Sequence, residues 1–256
     1  MILCANPLAQ FQSYQAEIEE AVLAVMRGNR YVLGDEVFSL EQEFADYIGT
    51  TAAVGVANGT DAIELSLRAL GIGSSDEVIT VSHTAVATVA AVEAVGASPV
   101  LVDVESQFYT LNPSQLEEVT TSKTKAVIVV HLYGQAANMD EIKSFCAKRN
   151  LFLIEDASQA HGAKYNEKRL GSIGDIGCFS CYPTKNLGAI GDAGLITTNN
   201  TNLATKIRML REYGWNERIS EFSGRNSRLD ELQASILRVK LKYLDADNSK
   251  RRQLAE

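Results

Sequence analysis

The sequence has little of what marks a secreted, membrane-spanning or nucleic-acid-binding chain. Four cysteines (Cys4, Cys146, Cys178 and Cys181) in 256 residues are too few and too irregularly spaced for a disulfide scaffold. No apolar run approaches the roughly 20 residues of a transmembrane helix. Met1-Ile2-Leu3-Cys4 opens no leader with a basic start and a long apolar stretch. A reduced, cytoplasmic protein is the expectation. Basic charge is also scarce: 24 Lys and Arg stand against 32 Asp and Glu, a net charge of −8. That balance argues against a nucleic-acid partner, which calls for a basic face. It also means that a phosphorylated ligand has to be attracted by a local site rather than by the overall field. The three histidines (His83, His131, His161) could join Asp156 as metal ligands, but no His-Glu-x-x-His or comparable spacing supports a metal. Cys178-x-x-Cys181 lacks the second pair of a zinc site, and residues three apart on a strand point to opposite faces, so both are read as core. No Gly-x-Gly-x-x-Gly opens a helix after a strand, which removes the usual nicotinamide fingerprint. No repeat, low-complexity tract or linker breaks the chain.

What is present is an ordinary globular balance of 46% hydrophobic and 22% charged residues. The length suits one sizeable domain, or a large domain with a fragment of a second. Short apolar, β-branched runs predict strands at Ala53–Ala57, Glu77–Val81, Pro99–Asp103, Ala126–His131, Leu151–Glu155, Gly177–Cys181 and Gly194–Thr198. Several are apolar on consecutive residues, as strands covered on both faces need to be. Helical periods separate them, at Thr60–Leu70, Val86–Val95 and Met139–Arg149, with Ile63, Leu67 and Leu70 on one face of the first. The fold expected is α/β, a mostly parallel seven-stranded sheet with helices on both faces. The N-terminal part reads as a helix over Gln15–Arg27, a turn at Val32–Asp35 and a second helix. From Asn202 onward the chain reads as helical around a loop at Ser223–Ser227, and Arg251–Glu256 falls within what looks like a long helix.

Four polar strings fall where strands end, and ligands of open α/β sheets bind at the carboxyl ends of strands. Asn58-Gly59-Thr60-Asp61 lies between a strand and a helix. Its glycine permits close backbone approach, and the helix start attracts an anion such as phosphate. The same string also reads as a plain turn with Thr60 or Asp61 as N-cap. In Glu155-Asp156-Ala157-Ser158-Gln159-Ala160-His161-Gly162 a carboxylate ends a buried strand, which is costly unless it meets a cation or several donors. A protonated pyridine nitrogen is one such cation; a helix-capping Asp156 with a hydrogen-bonded core His161 is the alternative. In Cys178-Phe179-Ser180-Cys181-Tyr182-Pro183-Thr184-Lys185-Asn186-Leu187-Gly188, Lys185 lies between an apolar strand and a Gly-rich stretch. Burial there lowers an amine pKa and makes a usable nucleophile and proton carrier. Gly224-Arg225-Asn226-Ser227-Arg228 offers amide and guanidinium donors, or is simply a solvated loop.

Taken in this order, the strings resemble the DegT/StrS family of pyridoxal-phosphate-dependent sugar aminotransferases. The resemblance runs from Pro7 to the end and includes Tyr31-Val32-Leu33-Gly34, Ala57–Ala62, Val130-His131-Leu132-Tyr133-Gly134, Glu155–Gly162, Cys181–Gly188 and Gly224–Arg228. It implies that Lys185 is the catalytic residue, joined to pyridoxal phosphate as a Schiff base. It implies further that Asp156 pairs with the pyridine nitrogen, that Gln159 contacts the ring hydroxyl and that Gly59, Thr60 and Ser180 hold the phosphate. Asn226 would reach the partner's site, making a homodimer the working unit. Many relatives stack an aromatic ring on the cofactor where this chain has Ala85, and His83 is the nearest substitute. Gly191-Asp192-Ala193-Gly194 replaces a common Gly-Asp-Gly-Gly. Residues 1–240 are expected to form the cofactor-binding large domain with its N-terminal helical segment. Residues 241–256 would begin a helix leading to a small C-terminal domain that the chain lacks. The reaction implied moves an amino group from an amino acid, glutamate in the first instance, to a nucleotide-linked keto-deoxy-hexose. The alternatives are a sugar dehydratase using the same cofactor, or a non-catalytic regulator that binds the cofactor or a sugar nucleotide.

Overall fold

The computed structural model describes residues 5–256, so the sequence readings on Met1–Cys4 fall outside it. Helix α1 (Pro7–Ser13) starts on Asn6, whose side chain accepts from the Ala9 amide, with Pro7 in the first turn where no donor is needed. Helices α2 (Gln15–Arg27) and α3 (Asp35–Ile48) follow, and Gly49 stops α3 in the left-handed conformation at φ 84°. Then come β1 (Ala52–Val56), α4 (Gly59–Ala69), β2 (Glu77–Val81), α5 (Val86–Ala94), β3 (Ser98–Val102), the single turn α6 (Leu116–Val119) and β4 (Thr124–Val130). Next are α7 (Met139–Arg149), β5 (Phe152–Asp156), a hairpin of β6 (Lys164–Tyr165) and β7 (Lys168–Arg169), β8 (Ile176–Ser180) and β9 (Gly194–Thr198). Helix α8 (Thr201–Leu210), a hairpin of β10 (Trp215–Asn216) and β11 (Ile219–Ser220), α9 (Glu231–Leu241) and α10 (Leu244–Ala255) complete the chain.

The main sheet has seven strands in the order β1-β9-β8-β5-β4-β2-β3. Neighbours from β8 through β3 pair parallel, whereas β9 runs antiparallel to both β8 and β1. Six strands therefore point one way and one the other. Alternate residues feed two cores, as the pleat dictates. Val127 and Val129 of β4 join α3, α7 and α9 through Phe44, Met139 and Leu237, while Ala126 and Ile128 join α4, α5 and α8 through Leu65, Val92 and Ile207. Cys178 and Cys181 lie in these opposite cores as free thiols.

Two features depart from the expected pattern. A left-handed pair, Asn166 and Glu167, closes the β6–β7 hairpin, and another, Glu217 and Arg218, closes β10–β11. The C-terminal helical region is also interrupted at Lys242–Tyr243 rather than continuous. Helix α10 lies back against the body: Arg169 pairs with Asp245 at 2.7 Å, and the Tyr14 hydroxyl donates to Asp247 at 2.7 Å. Among the described residues no helix is long and apolar enough to cross a membrane.

Candidate active site

The parallel strands β1, β4, β5 and β8 end on one edge of the sheet. The loops that follow them enclose a cleft of about 600 Å³ lined by Gly59, Thr60, Asp156, Gln159, Ser180 and Lys185, among others. That volume lies within the roughly 300–1,000 Å³ of small-molecule sites.

The start of α4 is pressed against the end of β8. A Cβ on Gly59 would lie 2.5 Å from the Ser180 Cβ, so only glycine permits this approach. Asn58 caps the helix by accepting from the Asp61 amide at 2.8 Å, a role expected of Thr60 or Asp61. Gly59 and Thr60 are the first two residues of α4, and no intrahelical carbonyl can reach their amides. The Asp61 carboxylate faces Arg225 at 3.6 Å, and Arg225 also pairs with Glu64. This guanidinium offsets two acidic groups behind an anion-attracting helix end.

Two carboxylates close β5. Glu155 is wholly buried and accepts from the amides of Gly171 (2.8 Å), Ile173 (2.7 Å) and Gly174 (2.7 Å), and from His131 Nε2 at 3.1 Å. Burial alone raises its pKa, but the His131 contact and these amides outweigh it and hold the carboxyl below its ordinary value. The Ala137 amide donates to His131 Nδ1 at 3.3 Å, which places the ring proton on Nε2, facing Glu155. Glu155 is therefore a structural anchor.

Asp156 is the one that faces the cleft. Its Oδ2 accepts from the Thr88 hydroxyl at 2.9 Å and its Oδ1 from the Ser158 amide at 3.2 Å. Two donors leave lone pairs of a buried carboxylate available for a further partner. Thr88 was not anticipated from the sequence. The signal was a hydroxyl in the otherwise almost wholly apolar helix Val86–Ala94, and Thr88 in turn meets Thr84 at 2.9 Å.

Gln159 accepts from the Tyr133 amide at 2.9 Å through Oε1, which leaves its NH₂ group to donate. Lys185 is half-buried, and its backbone amide donates to Tyr182 O at 2.8 Å. Burial lowers its amine pKa below that of a free lysine, opposed by the charge of Asp156 and by Cys181. His161 is buried but, contrary to the alternative reading of a hydrogen-bonded core histidine, neither ring nitrogen has a hydrogen-bond partner among the described residues. Burial and then the Lys185 charge push it down to about 3; the Ser180 backbone opposes this but does not meet hydrogen-bond geometry.

The remaining two predicted residues lie elsewhere. His83 is exposed and meets Tyr133 edge-on at 6.2 Å between ring centroids, outside the residues lining the cleft, whereas Ala85 is among them. Asn226 is exposed on the loop after β11, bridged to Glu212, and does not line the cleft of its own chain.

The sheet order and the lysine–carboxylate cleft at its carboxyl edge are those of an aminotransferase. The chain belongs to the DegT/DnrJ/EryC1/StrS aminotransferase family, whose model matches residues 12–256. It is 51% identical over 243 residues to a dTDP-3-amino-3,6-dideoxy-alpha-D-galactopyranose transaminase from Aneurinibacillus thermoaerophilus, covering 94% of this chain and 67% of that protein. It is 46% identical over 248 residues to a dTDP-3-amino-3,4,6-trideoxy-alpha-D-glucose transaminase from Streptomyces venezuelae, covering 96% of this chain and 65% of that one. The crystal structure of S. venezuelae DesV in complex with a ketimine intermediate superposes with a TM-score of 0.96 at 45% identity, covering 98% of this chain and 68% of DesV. The chain thus spans about two thirds of the length of the curated relatives it matches. Aminotransferases of this family depend on pyridoxal phosphate.

Proposed function

We propose that this protein holds pyridoxal phosphate in the cleft and moves an amino group from an amino acid, glutamate in the first instance, to a nucleotide-linked keto-deoxy-hexose. The observation that carries the reading is the convergence of Lys185, Asp156 and the Gly59–Ser180 contact on one cleft. The curated relatives described above are named for dTDP sugars aminated at carbon 3, and that carbon is the one we assign to this chain.

The residues present fit the cofactor. The free amides at the start of α4 and the Ser180 hydroxyl suit a phosphate, a neutral donor set that matches a chain of net charge −8. Asp156, with two donors already in place, suits a protonated ring nitrogen, and the Gln159 amide suits a ring oxygen. When bound, the cofactor supplies an electron sink for the carbon that gains or loses nitrogen. Asp156 holds the proton on the ring nitrogen, since a carboxylate–pyridinium pair strengthens as the effective dielectric falls. Lys185 would hold the cofactor through Nζ, and its free amine would carry a proton to and from the substrate carbon. Its lowered pKa keeps a larger share of the amine unprotonated near neutral pH. Gln159 orients the ring, and Thr88 orients Asp156.

Asn226 is exposed and does not line its own cleft, and this supports a homodimer in which it reaches the partner's phosphate. Free thiols at Cys146, Cys178 and Cys181 and phosphate-bearing ligands support a cytoplasmic setting.

The test is to incubate the purified protein with pyridoxal phosphate and record the visible spectrum before and after borohydride. The modified peptide is then mapped by mass. The expected result is an absorption band that reduction abolishes, with the cofactor mass on Lys185 and no turnover in Lys185→Ala. A colourless folded protein, or attachment at another lysine, would overturn the assignment.

A further inference from the structure

The segment that carries Lys185 contains no helix or strand, yet side chains from three separate helices hold it. Its own backbone closes it with two bonds, Lys185 N to Tyr182 O and Ala189 N to Cys181 O, both 2.8 Å. It is folded so tightly that a Cβ on Gly188 would lie 2.5 Å from Pro183 O. From α9, Lys240 Nζ donates to Gly188 O at 2.6 Å and to Gln10 Oε1 at 3.1 Å. From α1, Gln10 Nε2 donates to Asn186 O at 3.0 Å. From α10, Asn248 Oδ1 accepts from Asn186 Nδ2 at 2.8 Å, while Asn248 Nδ2 donates to His161 O at 2.7 Å. His161 belongs to the stretch that starts from Asp156 at the end of β5 and also bears Gln159. Asn248 thus links the two segments that supply the lysine, the carboxylate and the amide of the cleft.

Lys240 is the unexpected member, because it is only 3% exposed. A methionine of similar length would fill the same space without taking an ammonium out of water, which is costly unless the charge finds good acceptors. Here the acceptors are one carbonyl of the Lys185 segment and the glutamine that holds another. Charge-assisted bonds of this kind are stronger and more exacting in geometry than neutral ones.

We propose that Lys240 and Asn248 are positioning residues that hold the Lys185 segment in register with the Asp156–Gln159 segment, with Gln10 linking Lys240 to Asn186. The role rests on the reading that Lys185 carries the cofactor. Neither residue lines the cleft, so both would act through the backbone and side chains around Lys185.

The test uses the whole chain stripped of cofactor, as wild type and as Lys240→Met, Asn248→Leu and Gln10→Leu. Two quantities are read. The first is amide hydrogen exchange at Lys185 and Ala189 compared with β4 and β5. The second is the rate at which added pyridoxal phosphate is captured on Lys185, trapped by borohydride and located by peptide mass. The variants are expected to exchange roughly tenfold faster at Lys185 and Ala189, with the sheet unchanged, and to capture the cofactor correspondingly more slowly. Should Lys240→Met fail to fold, Gln10→Leu on the partly exposed α1 breaks the same link. Unchanged exchange at the two amides, or equal acceleration throughout the sheet, would overturn the positioning role while wild-type capture on Lys185 still stood. Wild-type capture at another lysine would overturn the cofactor reading itself, and the functional part of this inference with it.

Discussion

Asp156→Asn isolates charge from shape at the centre of the cleft. In the parent, Asp156 Oδ1 accepts from the Ser158 amide and Oδ2 from the Thr88 hydroxyl. Asparagine keeps the first bond unaltered. It also keeps the second, because Thr88 can turn to accept from the new NH₂ and direct its own proton to Thr84, 2.9 Å away. The framework therefore survives, and the folded state should lose no more than about 1 kcal/mol. What disappears is the negative charge that, in the proposed role, holds a proton on the cofactor's ring nitrogen. Removing one partner of a buried ion pair costs about 3–5 kcal/mol. If that falls on the chemical step, kcat drops roughly a hundred- to several-thousand-fold. Cofactor affinity should fall much less, because the helix start and Ser180 still hold the phosphate. The assay is steady-state kinetics on a keto-sugar nucleotide, beside a spectroscopic titration of cofactor binding and a thermal melt. A kcat within about threefold of the parent, with the cofactor bound, would refute the argument that Asp156 protonates the ring.

Gly59→Ala should weaken cofactor binding and destabilise the fold by about 1–3 kcal/mol, since the new Cβ meets Ser180 at 2.5 Å and one element has to give way; a titration and a melt check both. Glu155→Gln turns an NH₂ group toward two of the four existing donors, whichever oxygen it replaces, and should cost about 3 kcal/mol or more by chemical denaturation. Because the folded Glu155 pKa is lowered, its contribution is fully present above the unfolded value of about 4.3 and lost as pH falls through the folded value; melts below that pH should show a smaller acid loss in the glutamine variant. Lys240 shifts stability in the same direction, but in a higher pH window. Burial lowers its pKa to about 8, against the opposing influence of Cys181 and Asp247. Between pH 8 and roughly 10.4 the unfolded chain binds the extra proton, so stability should gain a component that rises across that window and is missing in Lys240→Met.

Much of this architecture was legible because its elements are long or buried on both faces. Runs such as Ala126–Val130 are apolar on consecutive residues, and their strands appear within a residue or two of expectation. The direction of β9 was not legible. Gly194–Thr198 is buried at every position, and such a run looks the same whether it runs parallel or antiparallel. The β10–β11 hairpin was equally hidden, since its tight turn puts Glu217 and Arg218 at positive φ, where Asn and Gly are the usual residues. Three of the four polar strings were readable as cleft segments because each follows a strand, whereas Gly224–Arg228 does not line the cleft. Their supports were not: Thr88, Arg225 with Asp61, and Asn248 act from helices and loops far away in sequence, and only tertiary packing shows whom they meet.

The reversed strand has a mechanical consequence for Lys185. Because β9 runs opposite to β8, the connection between them leaves and re-enters the sheet at the same edge, from Ser180 to Gly194, which are paired across the two strands. Lys185 therefore sits on a short arch with both feet clamped in the sheet, and Gly194 is wedged so closely against Asn58 that a Cβ there would lie 2.4 Å from its carbonyl oxygen. The clamped feet fix where the arch begins and ends, and the bonds from Lys240, Gln10 and Asn248 restrain what lies between. In the proposed role, the reach of Lys185 Nζ across the cleft would come from the four methylenes of the side chain swinging about Cα, like an arm on a pivot.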